Sequence, residues 1–129
     1  MLVVISCKEE NTECTVLRGF FPNSKDPSVV LYANDTPIDT VYLDKDKNFI
    51  FNLKIKESQL YNFETKGKFQ YVFIEPNDSL VVYANAYNFD ESISFSGRGA
   101  AINNFILVQA NEARRQANLF KQYQSLTPN

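Results

Sequence analysis

Between Cys14 and Phe95 apolar and polar residues follow a period of two, and clusters of Pro, Gly, Asn and Asp interrupt the pattern at short intervals. The clearest run is Asn48–Ile55. There Phe49, Phe51, Leu53 and Ile55 share one face, and Asn48, Asn52, Lys54 and Lys56 lie on the other. By the same rule the chain is predicted to form strands at Thr15–Phe20, Ser28–Ala33, Ile38–Leu43, Asn48–Ile55, Leu60–Thr65, Phe69–Glu75 and Ser79–Ala84, with a short eighth at Ser92–Phe95. The sixth run is apolar on both faces, Phe69, Tyr71 and Phe73 on one and Val72 and Ile74 on the other, which predicts a central strand covered on both sides. After Gly97-Arg98-Gly99 the period changes. Ile102, Phe105, Ile106, Gln109, Ala113, Ala117, Phe120 and Tyr123 fall on one helical stripe, so a helix is predicted over Ala100–Tyr123. Ile102, Phe105 and Ile106 leave the glycine bend first and are expected to pack on the sheet. Phe120 and Tyr123, roughly 25–30 Å further along the axis, are expected to be less buried. The predicted class is mainly β: an antiparallel β-sandwich of seven to eight strands with one C-terminal α-helix. Its organisation is residues 1–13 as a tether, 14–97 as the sandwich, 98–124 as the helix, packing on or leading out of the sandwich, and 125–129 as a tail or linker.

Composition supports a single folded domain: 129 residues, 44% hydrophobic and 22% charged. The net charge of −2 gives no electrostatic footprint for nucleic acid, and the Arg114-Arg115 pair reads as a solvated helix face. The chain has no His and no Trp. The first absence removes the commonest general base and metal ligand, and the second removes the best stacking platform.

Candidate chemistry is sparse. Asp44-Lys45-Asp46-Lys47-Asn48 opens like a calcium loop, but Phe49 stands where the turn glycine is needed and Ile55 where the bidentate Glu is needed. A polar hairpin turn is the better account. Gly97-Arg98-Gly99 ahead of a helix could cradle a phosphate. It lacks the lysine and acidic partners of such loops, so a glycine-permitted bend is preferred. Adjacent acids such as Asp90-Glu91 are not a catalytic pair by default. No catalytic, cofactor or metal residues are assigned, and the chain is expected not to be an enzyme.

The N-terminus carries one specific signal. Met1 to Ile5 are apolar, Ser6-Cys7 follows, and Lys8-Glu9-Glu10 turns the chain polar. Val4-Ile5-Ser6-Cys7 resembles the end of a bacterial lipoprotein signal, in which the cysteine thiol receives a lipid. That resemblance implies Cys7 as the lipidation site and a membrane-anchored, periplasm-facing location. Only six residues precede Cys7 and none is basic, so the signal is shorter than a signal peptide requires. A first strand at Leu2–Ile5 is the competing reading. Cys14 is expected as a small buried residue opening the first strand, with a Cys7–Cys14 disulfide as the alternative in an oxidising compartment.

Three further stretches extend the resemblance: Leu43-Asp44 with Phe49, then Ile74-Glu75-Pro76-Asn77-Asp78-Ser79-Leu80, then Phe95-Ser96-Gly97-x-Gly99-Ala100-x-x-Asn103-Asn104-Phe105. Together they resemble the N-terminal domain, of unknown function, in Bacteroidetes thioredoxin-like lipoproteins. Members of that family are thiol-disulfide oxidoreductases of the cell envelope, in which a β-sandwich precedes a thioredoxin-fold domain with a C-x-x-C site. The resemblance covers about Cys14–Tyr123. It implies a non-catalytic accessory domain that positions a C-terminal redox domain or docks partners. Asn77 replaces the family's turn glycine, and no C-x-x-C occurs among these 129 residues. The alternative is a stand-alone surface lipoprotein module that binds a protein or glycan.

Overall fold

A computed structural model describes residues 14–126. Eight strands form two four-stranded sheets: β1 (Cys14–Phe20), β2 (Ser28–Ala33), β3 (Thr36–Tyr42), β4 (Asn48–Lys54), β5 (Gln59–Thr65), β6 (Lys68–Ile74), β7 (Ser79–Tyr83) and β8 (Ser94–Arg98). The first sheet has the order β4-β1-β7-β8 and the second β3-β2-β5-β6. Every pairing is antiparallel except β1 with β7. The two inner faces supply one core. Leu17, Phe51, Leu80 and Val82 come from the first sheet, and Val29, Leu31, Phe63, Val72 and Ile74 from the second. The alternation read from Asn48 onward is the burial pattern of β4, with Phe49, Phe51 and Leu53 inward.

Local turn chemistry explains where the strand limits differ from expectation. Asn34 (φ 52°) and Asp35 (φ 65°) form a two-residue hairpin, so β3 starts at Thr36 and contains Pro37. Pro is tolerated there because β3 is an edge strand. A 3-10 turn at Ala86–Asn88 and a short helix, α1 (Phe89–Ser92), were not legible as elements; they take Ser92 out of β8. The Ser92 hydroxyl instead accepts the Asn85 N–H at 2.8 Å.

Two expectations are corrected. The sixth strand is not central: β6 is the edge of its sheet, with Phe69 and Tyr71 exposed on its outer face. Its two-sided apolar character reflects an outer surface patch, with only Phe73 sheltered beside the helix. The second correction concerns the helix itself, α2 (Ala100–Leu126), about 40 Å long. It crosses the open side of the sandwich between the β6 and β8 edges. Phe105 is 61% exposed and Ile102 is exposed too, while Ile106 is half-buried. The helix buries Asn103 and Leu107, one turn apart on a different face. Polar anchoring of the first turn, described below, fixes which face meets the sheets and outweighs the apolar stripe. Phe120 and Tyr123 are exposed, as expected, and the helix runs on past 124 to Leu126.

Candidate functional site

The strand-to-helix step is the most specific motif in the sequence, and packing accounts for each of its residues. Gly97 (φ +86°) and Gly99 (φ +102°) both adopt backbone conformations that side chains disfavour. A Cβ at Gly97 would lie 2.3 Å from the Ser79 carbonyl oxygen, and one at Gly99 2.5 Å from Asp78 Oδ2. The two glycines therefore let the step sit against the Pro76-Asn77-Asp78 turn. In that turn Asn77 takes φ 73°, a left-handed conformation that Asn tolerates better than most side chains. Asp78 is buried and accepts the Glu75 N–H at 2.8 Å, while Asn77 donates its N–H to Thr15 Oγ1 at 3.0 Å. A carboxylate thus occupies the space in front of Gly99 where a phosphate cradle would need to be open.

Asn103 and Asn104 complete the step. The Asn103 side chain accepts the Phe73 N–H at 2.7 Å and donates to the Phe73 carbonyl at 2.8 Å and the Gly99 carbonyl at 3.0 Å. Asn104 does the same on the other sheet, accepting the Phe95 N–H at 2.9 Å and donating to its carbonyl at 2.8 Å. Each amide stands in for a neighbouring strand, one at the β6 edge and one at the β8 edge. Sequence reasoning saw Asn103 and Asn104 only as part of the strand-to-helix motif and missed this clamp. The available signal was two adjacent Asn in the first turns of a helix, where their intrinsic propensity is poor.

The Asp44 loop is a turn closed on itself. Asp44 Oδ1 accepts the Asp46 N–H at 2.9 Å and the Asn48 N–H at 3.0 Å. These bonds, the Asn48 N–H foremost, hold its carboxyl below the usual range. Oδ1 is thus engaged in closing the turn. Among the described residues no group of three or more His, Cys, Asp or Glu could hold a metal ion. Asp90 pairs with Lys68 at 3.3 Å across the surface rather than with Glu91. Arg114 and Arg115 are exposed on α2, where Arg115 pairs with Glu112 at 2.7 Å.

Two surfaces have the shape or chemistry for binding. A cavity of about 250 Å³ opens at the end of the sandwich, between the segment after β1, the β5–β6 turn and α1. Phe21 and Phe89 form its floor with ring centroids 5.5 Å apart, and Tyr87, Lys25, Lys66 and Lys68 surround it. The second surface is the outer face of β2, β5 and β6. Leu60, Phe69 and Tyr71 are exposed there, and the Tyr32 and Phe69 rings lie 6.2 Å apart. Tyr32 donates its hydroxyl hydrogen to Glu64 at 3.1 Å, and that bond raises the phenol's pKa. Between them the Asn62 side-chain oxygen is buried without a hydrogen-bond partner.

Cys7, the expected lipidation site, lies outside the described residues; Cys14, expected as a small buried residue, opens β1 half-buried and is not a free thiol. No described helix is long and apolar enough to cross a membrane. Neither the family models, the curated proteins nor the solved structures contain a match to this chain.

Proposed function

We propose that the chain is a non-catalytic accessory domain of a thioredoxin-like lipoprotein of the cell envelope, tethered through a lipid on Cys7, with α2 as the arm that positions a redox domain or docks its partners. The observation that carries this reading is the asparagine clamp. Five side-chain hydrogen bonds from Asn103 and Asn104 fix the base of α2 to both sheets, while residues 113–126 are exposed along their length. A helix held rigidly at one end and exposed at the other is built to set the direction of whatever it carries. The residues Phe95 to Phe105, which make the clamp and its glycine step, are the strongest element of the resemblance to the thioredoxin-like lipoproteins.

The coding sequence downstream of Asn129 tests the parentage. An in-frame C-x-x-C within a βαβ pattern supports it, and an immediate stop codon refutes it. The anchor is tested by detergent partitioning in a lipoprotein-processing host: the wild-type chain enters the detergent phase and Cys7→Ser releases it. Equal partitioning of the two would sink the anchor. A thioether-linked lipid uses the same sulfur that a Cys7–Cys14 disulfide would need, so intact mass separates the two fates.

The second reading, a stand-alone surface module for a protein or glycan, draws on the aromatic outer face around Asn62. Sugar rings stack on exposed aromatic faces, and Tyr71 and Phe69 offer them. Binding on a glycan array that Tyr71→Ala abolishes would favour it.

A further inference from the structure

The face of α2 that the sandwich leaves free carries a heptad pattern. Written in register abcdefg, Ile102, Gln109, Gln116 and Tyr123 occupy a, and Phe105, Glu112, Leu119 and Leu126 occupy d. Ile106 and Phe120 flank them at e. The residues that face the sandwich, Asn103 at b and Leu107 at f, belong to the opposite side. Ile102, Phe105, Val108, Leu119, Phe120, Tyr123 and Leu126 are 45–80% exposed, a larger apolar stripe than a water-facing helix ordinarily carries.

We infer that this face pairs with α2 of a second copy of the chain in antiparallel register, centred on Arg114. Three arguments select that occupant. The first is layer matching. Antiparallel pairing about residue 114 sets Ile102 against Leu126, Phe105 against Tyr123 and, at the flank, Ile106 near Phe120. Of the two inner layers, Glu112 meets Gln116 and Gln109 meets Leu119, whose aliphatic stem and side chain can pack together. The second is charge. Glu112 is the one charged a or d residue. A parallel in-register pair would bury it against its own copy, whereas the antiparallel pair places it beside Gln116 and Arg115 of the second copy. The third is area. An aromatic side chain has about 150–250 Å² to bury. Complete coverage of the exposed surface of the seven side chains, three of them aromatic, would bury at most on the order of 700 Å² per copy, or roughly 1,400 Å² for the pair, inside the ~1,200–2,000 Å² of stable interfaces. The residues through which α2 meets its own sandwich, Asn103 and Leu107, lie on the side of the helix away from the seam. The inference stands on α2 alone and does not depend on the envelope reading.

Sedimentation of the 129-residue chain tests it. The wild type is expected to approach twice the chain mass as its concentration rises to about 100 µM. Leu119→Arg with Tyr123→Arg is expected to remain at the chain mass. Both sites are remote from the sandwich, and Arg is a good helix former, so the sandwich melt should not move. Asn118→Arg, on the opposite side of the same segment, is expected to leave association intact. A wild type that stays monomeric, or a double variant that still dimerises, overturns the pairing. Orientation is read from a spin label at Ser125→Cys in a background with Cys7→Ser and Cys14→Ser. Antiparallel pairing places the two labels about 35 Å apart at 1.5 Å per residue, and a separation under about 20 Å overturns the register.

Discussion

Replacing Asn103 by Ala removes the partner of three backbone groups at once: the Phe73 N–H, the Phe73 carbonyl and the Gly99 carbonyl. Asn103 itself is 1% exposed, so water does not reach the site while α2 stays docked. A buried polar group left unsatisfied costs about 1–3 kcal/mol. Phe73 is only half-buried, and local opening of the helix base lets water recover part of that. The expected net loss is about 3 kcal/mol, a large part of the ~5–15 kcal/mol by which a domain of this kind is stable. Asn104→Ala should cost less, about 1 kcal/mol, because Asn104 is only half-buried and water can replace its amide. Asn103→Asp keeps the acceptor for the Phe73 N–H but turns the donor into a charged oxygen facing two carbonyls. Its carboxyl pKa should therefore be raised in the folded state, so this variant is weakest at neutral pH and regains stability as pH falls through that pKa. Urea melts followed by circular dichroism give the free energies. Hydrogen exchange at the Phe73 and Phe95 amides shows which sheet edge has opened. If Asn103→Ala melts within about 0.5 kcal/mol of wild type, ordinary surface behaviour, with the Phe73 amide still protected, the clamp does not hold the helix.

In dilute solution Phe105→Ala should change stability by no more than about 0.5 kcal/mol, whereas Leu107→Ala, at 7% exposure, should cost about 2–4 kcal/mol; equal urea midpoints would contradict the assigned docking face. Gly97→Ala should destabilise far more than Gly67→Ala. Both have positive φ, but only Gly97 would bring a Cβ against backbone, and thermal melts of the pair measure the difference. The Glu112 carboxyl is held at about 2, chiefly by its hydrogen bond from Arg115. Because the folded value is depressed, the pair's contribution is present above the unfolded carboxylate range and is lost as pH falls towards about 2. A carbon-detected NMR titration should show that midpoint, and Arg115→Ala should return it towards 4.5.

Strand positions were legible in the sequence because a two-residue period survives wherever one face is buried, as in β4 and β5. The glycine bend was legible from steric rules, and the left-handed Asn77 from the resemblance that sets it in a turn glycine's place. The layer position of β6 was not. An apolar outer face at a sheet edge reads the same as one at a sheet centre, and only pairing partners distinguish them. The docking of α2 was not legible for a related reason. Periodicity identifies an apolar stripe but says nothing about what covers it, and here two amides bonded to strand edges decided the orientation. No chemical site was assigned from the sequence, and the described geometry shows what the two suggestive motifs do instead. Asp44 Oδ1 closes its own turn, and the glycine pair is spent on close packing against Asp78 and Ser79.

The amide pairing at the β6 and β8 edges also sets a hazard in time. Strand edges with free N–H and carbonyl groups recruit other chains, and the β6 edge lies beside the exposed Phe69 and Tyr71. Ribosomes deliver the chain from its N-terminus, so all eight strands emerge before Asn103 and Asn104 do. Until then two adhesive borders stay open on a nearly complete sandwich. A chain that stalls or is cut just before the helix would therefore be less a harmless fragment than a seed for co-aggregation with its neighbours on the same message.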